Sequence, residues 1–93
     1  MRRMQKCTGV LTVSSQGAIV IIEVNLGDQL IEMKCPSTVA SHFARLIETE
    51  LKEKQKTTIN FIEEECVVNL NREEGQEFVA AIREACRAAI AAN

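Results

Sequence analysis

The chain holds no tryptophan and no tyrosine, and only three phenylalanines among its 93 residues. The large rings that usually anchor protein interfaces, and that stack on single-stranded nucleic acid, are therefore scarce. One proline and four glycines are present. Gly9, Gly17, Gly27 and Gly75 stand apart from one another, so no glycine-rich loop is available to cradle a phosphate. No apolar run approaches the ~20 residues needed to cross a bilayer, and a membrane is not expected as a partner. An excess of basic charge is missing too. Eleven lysines and arginines face thirteen aspartates and glutamates, a net charge of −2. A protein whose main work is on nucleic-acid backbone carries a strongly basic footprint, so nucleic acid is not expected either.

Close cysteine pairs are also lacking. Cys7, Cys35, Cys66 and Cys86 are widely spaced, whereas structural zinc is usually announced by ligand pairs that preset half a tetrahedron. No metal or other cofactor is expected on these grounds. The segment from Met1 to Lys6 is basic, like the start of a signal peptide. The stretch from Cys7 to Ser15 alternates with Thr and Ser where a signal peptide would be solidly apolar. Reduced cysteines in a cytoplasmic protein, acting as small core residues, are the expectation.

What is present is aliphatic. Ten Ala, nine Ile and eight Val dominate an apolar content of 46%, so the core must be built from methyl groups with little aromatic area. Ninety-three residues allow one domain over 1–93, with Arg2, Arg3 and Lys6 in a basic arm expected to fray over residues 1–6. Residues 7–13 alternate as a strand does, and the Ser14–Gly17 stretch reads as a turn. Ala18 to Val24 is dense in β-branched residues, the strongest strand signal in the chain. Asn25 to Asp28 closes a second hairpin, and a third strand runs from Gln29 to Cys35.

Pro36 ends that strand, and Ser37 or Thr38 is expected to cap a helix running from about Val39 to Lys54. Its apolar stripe is read as Val39, Phe43, Leu46, Ile47 and Leu51. Residues 57–70 are extended and are read as two strands joined across Glu63, Glu64 and Glu65, with one long bulged strand as the alternative. Asn71, three residues before Glu74, forms a capping-box pattern for a second helix. Its buried face is read as Phe78, Val79, Ile82, Ala85, Cys86, Ala89 and Ile90. The order β-β-β-α-β(-β)-α predicts an α+β, two-layer sandwich: an antiparallel sheet of four or five strands with two helices on one face.

The chemistry-bearing residues are few. His42 is the single histidine, and no metal ligand lies three or four residues away on its helix. The acidic residues Glu63–Glu65, Glu73 and Glu74 suit solvated ends of elements better than an acid–base pair, which needs unlike environments. Cys35, just before a helix start, is the one candidate reactive thiol, because a helix dipole stabilises a thiolate there. One feature is left over: Ile19 to Ile22 are apolar on both faces of their strand, while two helices cover only one face. Either neighbouring side chains shield the second face, or another subunit does. Ile19, Ile21 and Glu23 are accordingly the interface candidates. The expected function is a small non-enzymatic protein-interaction or assembly module, a homodimer or accessory subunit. The alternative is a small enzyme or ligand-binding domain with a cleft between sheet and helices, with Cys35 as its thiol.

Overall fold

A computed structural model describes residues 5–6, 10–25, 30–61 and 66–91. The β-branched run forms the heart of β3 (Ile19–Asn25), which lies between β2 (Val10–Gln16) and β4 (Leu30–Pro36) in an antiparallel sheet. In a second sheet, β5 (Lys56–Phe61) and β6 (Cys66–Asn71) pair antiparallel, and the two-residue β1 (Gln5–Lys6) lies parallel to β6. Helix α1 (Ser37–Lys54) joins β4 to β5, and α2 (Arg72–Ala91) follows β6. The class is α+β.

The described residues form two sheets where one of four or five strands was expected. The amino-terminal stretch is divided between them: Gln5 and Lys6 ladder with Cys66 and Val67, whereas Val10–Gln16 ladders with Asn25–Ile19. Of the arm expected to fray, Gln5 and Lys6 are therefore paired, and residues 1–4 lie outside the described residues. Residues 57–70 supply two strands, with the acidic triplet 63–65 between them and outside the described residues.

The first hairpin turns later than the sequence suggests. Ser14, Ser15 and Gln16 stay in the ladder, and Gly17 and Ala18 make the turn. Gly17 has φ +60°, as the first central residue of a type II′ turn requires.

Register separates the two faces of the first sheet. Val20, Ile22 and Val24 point to the helices, beside Leu11 and Val13 of β2 and Ile31, Met33 and Cys35 of β4. The second sheet adds Ile59, Val68 and Leu70 to the same core, with buried Thr57 directly opposite Leu70. On its outer face Thr58, Asn60 and Asn69 lie beside Val67, and the Thr58 hydroxyl donates to Asn69 Oδ1 across the ladder at 2.9 Å.

Helix α1 starts differently from the expectation. Pro36, at φ −62° and ψ 155°, occupies the capping position and makes no side-chain capping bond. Ser37 and Thr38 are already helical, so neither hydroxyl has the extended backbone that a cap needs. The far end closes on Gln55 in the left-handed region (φ 62°), with its N–H donating to the Leu51 carbonyl at 2.9 Å. Helix α2 starts as its sequence predicts. Asn71 Oδ1 accepts from the Glu74 N–H at 2.8 Å, and the Asn71 N–H donates back to Glu74 Oε1 at 3.0 Å.

The rotation of α1 is a correction to the sequence reading. Its buried residues are Ala40, Ala44, Ile47 and Leu51, while Val39 and Leu46 are 54% and 56% exposed. The physical reason is close approach. Leu51 lies so near Gly75 of α2 that a Cβ placed on the glycine would stand 2.7 Å from Leu51 Cδ2. Small side chains go where the layers are tightest, and the larger Val39 and Leu46 turn outward. On α2 the expected face is buried, except for Ile90.

Two substitutions test this account. Asn71→Ala removes one half of the reciprocal cap and should cost about 1 kcal/mol in urea unfolding. An unchanged midpoint would mean that the cap contributes nothing. Gly75→Val forces atoms into the space held by Leu51 and should cost about 1–3 kcal/mol. Equal or greater stability would show that α1 has room to move away.

Candidate functional site

Helical periodicity places Val39, Phe43, Leu46 and Glu50 on one stripe of α1, at i, i+4, i+7 and i+11. Only Val39 and Leu46 of this flank are strongly exposed, and Glu48, about half a turn round the helix, forms an ion pair with Arg83 of α2. Phe43 is half-buried and meets Phe78 edge-on, with ring centroids 6.3 Å apart and planes at 86°. Val39 and Leu46 stand on either side of it along the helix, each more than half exposed. His42 and Glu53 are exposed next to the same stripe.

Glu50 ends the stripe and does a different job. Its carboxylate accepts from the Thr58 N–H at 3.1 Å and from the Thr57 hydroxyl. These two bonds, the Thr57 bond first, hold its carboxyl below the usual value, and burial opposes them weakly. The contact is present while Glu50 is ionised and is lost as pH falls through that lowered range. In sequence, Glu50 pairs only with Lys54 four residues on; its reach to β5 could not be read from helix spacing.

The residues singled out from the sequence do not converge. On β3, Val20 and Ile22 belong to the core, and Ile21 on the opposite face is also buried, between Ser14 and Lys34 of the neighbouring strands. Of the interface candidates Ile19 is 36% exposed and Glu23 half-buried, so little open apolar surface remains on that strand. Leu30 is exposed on the same face, but at its other end, with Glu23 and Glu32 intervening. Lys34 and Glu32 form an ion pair there at 3.4 Å.

Cys35 is half-buried at the end of β4 and packs against the core, and Cys86 is buried in α2, with its thiol donating to the Ser37 carbonyl at 3.5 Å. Burial pushes the Cys35 thiol up from its ordinary value, and the neighbouring Cys86 pushes it further. Burial raises Cys86 as well, partly offset by Arg83. An activated nucleophile needs the opposite shift. Cys7 lies outside the described residues, as does the side chain of Cys66.

Among the described residues no three His, Cys, Asp or Glu side chains gather into a metal-binding group, and no helix is long and apolar enough to cross a membrane. A hollow of about 240 Å³ lies between β2 and α2, lined by Leu11, Val13 and Phe78 with Glu74 and Glu77 at its side. It is smaller than most ligand pockets and contains neither a nucleophile nor a base in an unlike environment. Compared with protein-family models, curated proteins and solved structures, the chain matches none.

Cysteine alkylation followed across pH, with each site assigned by peptide mass, measures the thiols. Cys35 and Cys86 should react more slowly than a free thiol at neutral pH and accelerate only in alkaline solution. Since the folded thiols retain protons that the unfolded ones release, stability should also fall as pH rises through that range. Fast neutral alkylation of Cys35 would reinstate it as a nucleophile.

Proposed function

We propose that this chain is a small non-enzymatic protein-interaction module, acting as a homodimer or as an accessory subunit of a larger assembly. The observation that carries the reading is the apolar stripe on α1, where Val39 and Leu46 remain more than half exposed around Phe43. Aliphatic side chains of this size, aligned along one helix flank, lose unfavourable contact with water when another surface covers them. Burying such a side chain contributes about 1.5–3 kcal/mol, a large share of the net stability of a domain this small.

The stripe favours α1 over β3 for the proposed contact, since on β3 only Ile19 keeps notable exposure. A catalytic reading draws less support. The Cys35 thiol is shifted away from reactivity, His42 is exposed on a helix, and the hollow beside α2 offers carboxylates in similar surroundings.

Light scattering on the eluted full chain, over a series of loading concentrations, tests the reading. Mass that rises with concentration toward twice 10.3 kDa is the expected result for the homodimer. A strict monomer at high micromolar concentration, with turnover or a small-molecule ligand found instead, would overturn it.

A further inference from the structure

We infer that the outer edge of β2 takes up an extended, basic segment of a partner protein as an added strand, in the groove between β2 and α2; this deepens the interaction reading above and rests on it. Among the described residues β2 pairs on one side only, with β3, and no other backbone bond reaches it. Its two-residue turn fixes which groups are left over. The pair Gln16–Ile19 that flanks the turn exchanges both backbone bonds, and every second pair along the antiparallel ladder does the same. Val10, Thr12, Ser14 and Gln16 therefore bond to β3, and Leu11, Val13 and Ser15 turn their N–H and C=O groups outward.

Proteins normally blunt such an edge with charge, proline, a bulge or a covering group. On β5 Glu50 accepts the Thr58 N–H, and on β4 Glu32 and Lys34 supply charge. β2 has none of these devices. Its residues are uncharged, include no proline and ladder with β3 without a bulge.

The space beside the edge is already shaped for a strand. The hollow of about 240 Å³ joins Leu11 and Val13 to Phe78 and Ala81, and a second, of about 310 Å³, joins Val13 and Ser15 to Ala81 and Ala88. β2 and α2 thus run alongside each other in the same direction, and Leu11, Val13 and Ser15 stay half-buried between them. A strand added about 4.8 Å from β2 would place every second side chain over this groove.

The charge of the walls selects the occupant. Glu74, Glu77 and Glu84 line the two hollows, and no lysine or arginine does. The Glu74 carboxylate is engaged by the Asn71 N–H, but Glu77 and Glu84 are exposed and form no ion pair among the described residues. Of the arginines of α2, Arg83 is paired with Glu48, Arg72 lines the hollow on the α1 side, and Arg87 lies about a sixth of a turn round from Glu84. Glu77 and Glu84 are about 10 Å apart along the helix, a span that lysines four residues apart on a strand, about 13 Å, can meet. A second copy is the poorer occupant. Two β2 edges joined about a twofold axis would set the two α2 helices side by side, with Glu77 and Glu84 facing their own copies. A short strand buries less than the ~800 Å² per partner of a stable interface, so the contact is weak and reversible.

Fluorescence anisotropy on the full chain, with a labelled peptide of the pattern Lys-Thr-Val-Thr-Lys, tests the inference. Saturable binding is expected. It should weaken at least about tenfold when the peptide's lysines are replaced by glutamates, and in one of two versions N-methylated at alternate residues. Glu77→Lys combined with Glu84→Lys, both at exposed positions, should weaken it by a similar factor with an unchanged circular dichroism spectrum. Hydrogen exchange followed by NMR should show the amides of Leu11, Val13 and Ser15 slowed by the peptide, and those of Thr12 and Ser14, already bonded to β3, unaltered.

The outcomes separate this site from the broader reading. No saturation at millimolar peptide, or binding that N-methylation leaves intact, overturns the β2 edge, while a mass rising toward the dimer would still support an interaction module. Equal binding of the glutamate peptide overturns the basic occupant. Self-association that slows exchange at the same three amides puts a second copy on the edge and overturns it as well. Peptide binding by a chain that stays monomeric upholds the site and the accessory-subunit form of the reading.

Discussion

The closeness of α1 to α2 is the constraint on which the rest of this fold depends. With no Trp or Tyr to fill space, a thin layer of methyl groups must hold the helices to the sheets, and that works only at short range. Gly75 gives Leu51 its place in the first turn of α2, and Ala40 and Ala44 turn α1's narrowest side inward. Glycine in a helix costs about 1 kcal/mol relative to alanine, which the close contact must offset. The exposure of Val39 and Leu46 follows from the same cause. A helix turned to bury its alanines necessarily turns larger side chains outward.

The sheets solve a second problem, that of their edges. β5 ends one sheet, and an unpaired strand edge offers backbone donors to any passing chain. Glu50 accepts the Thr58 N–H on that edge, so a side chain of α1 occupies a position that another strand could otherwise take. β4 ends the other sheet, and there the alternating Glu32 and Lys34 place charge along the outer face. Both devices disfavour association by added strands. Exposed apolar side chains persist on α1 at Val39 and Leu46, on α2 at Ile90 and on β4 at Leu30.

Much of the local structure was legible because it depends on near neighbours in sequence. Asn71 and Glu74 are three residues apart, which is all a capping box needs; the β-branched run at 19–22 specifies a strand from its own stereochemistry. The rotation of α1 was not legible. Val39 and Leu46 fit the helical period as well as Ala40 and Ala44 do, and hydrophobicity favours the larger pair. Only the distance between α1 and α2, a tertiary quantity, decides for the alanines. The burial of Ile21 was left open in the sequence between shielding by neighbouring side chains and cover by another subunit. Its cover comes from a face bearing Ser14 and Lys34, residues that a pattern of apolar positions counts as open to water, although a lysine stem shields as hydrocarbon does.

Under the proposed reading, the helix packing would let a surface without a cleft be specific. A pocket selects by enclosing its ligand; a helix flank selects by the spacing of its side chains and the placement of its charges. On α1 both are fixed by contacts made elsewhere along the helix. Ala40, Ala44 and Leu51 set the rotation, the Glu48–Arg83 pair holds the side facing α2, and Glu50 ties the carboxy-terminal half to β5. The exposed stripe is thus held in register by the core beneath it. A change of rotation large enough to hide Leu46 would drive Ala40 and Ala44 out of the core, so the buried layer and the outward stripe are one packing decision.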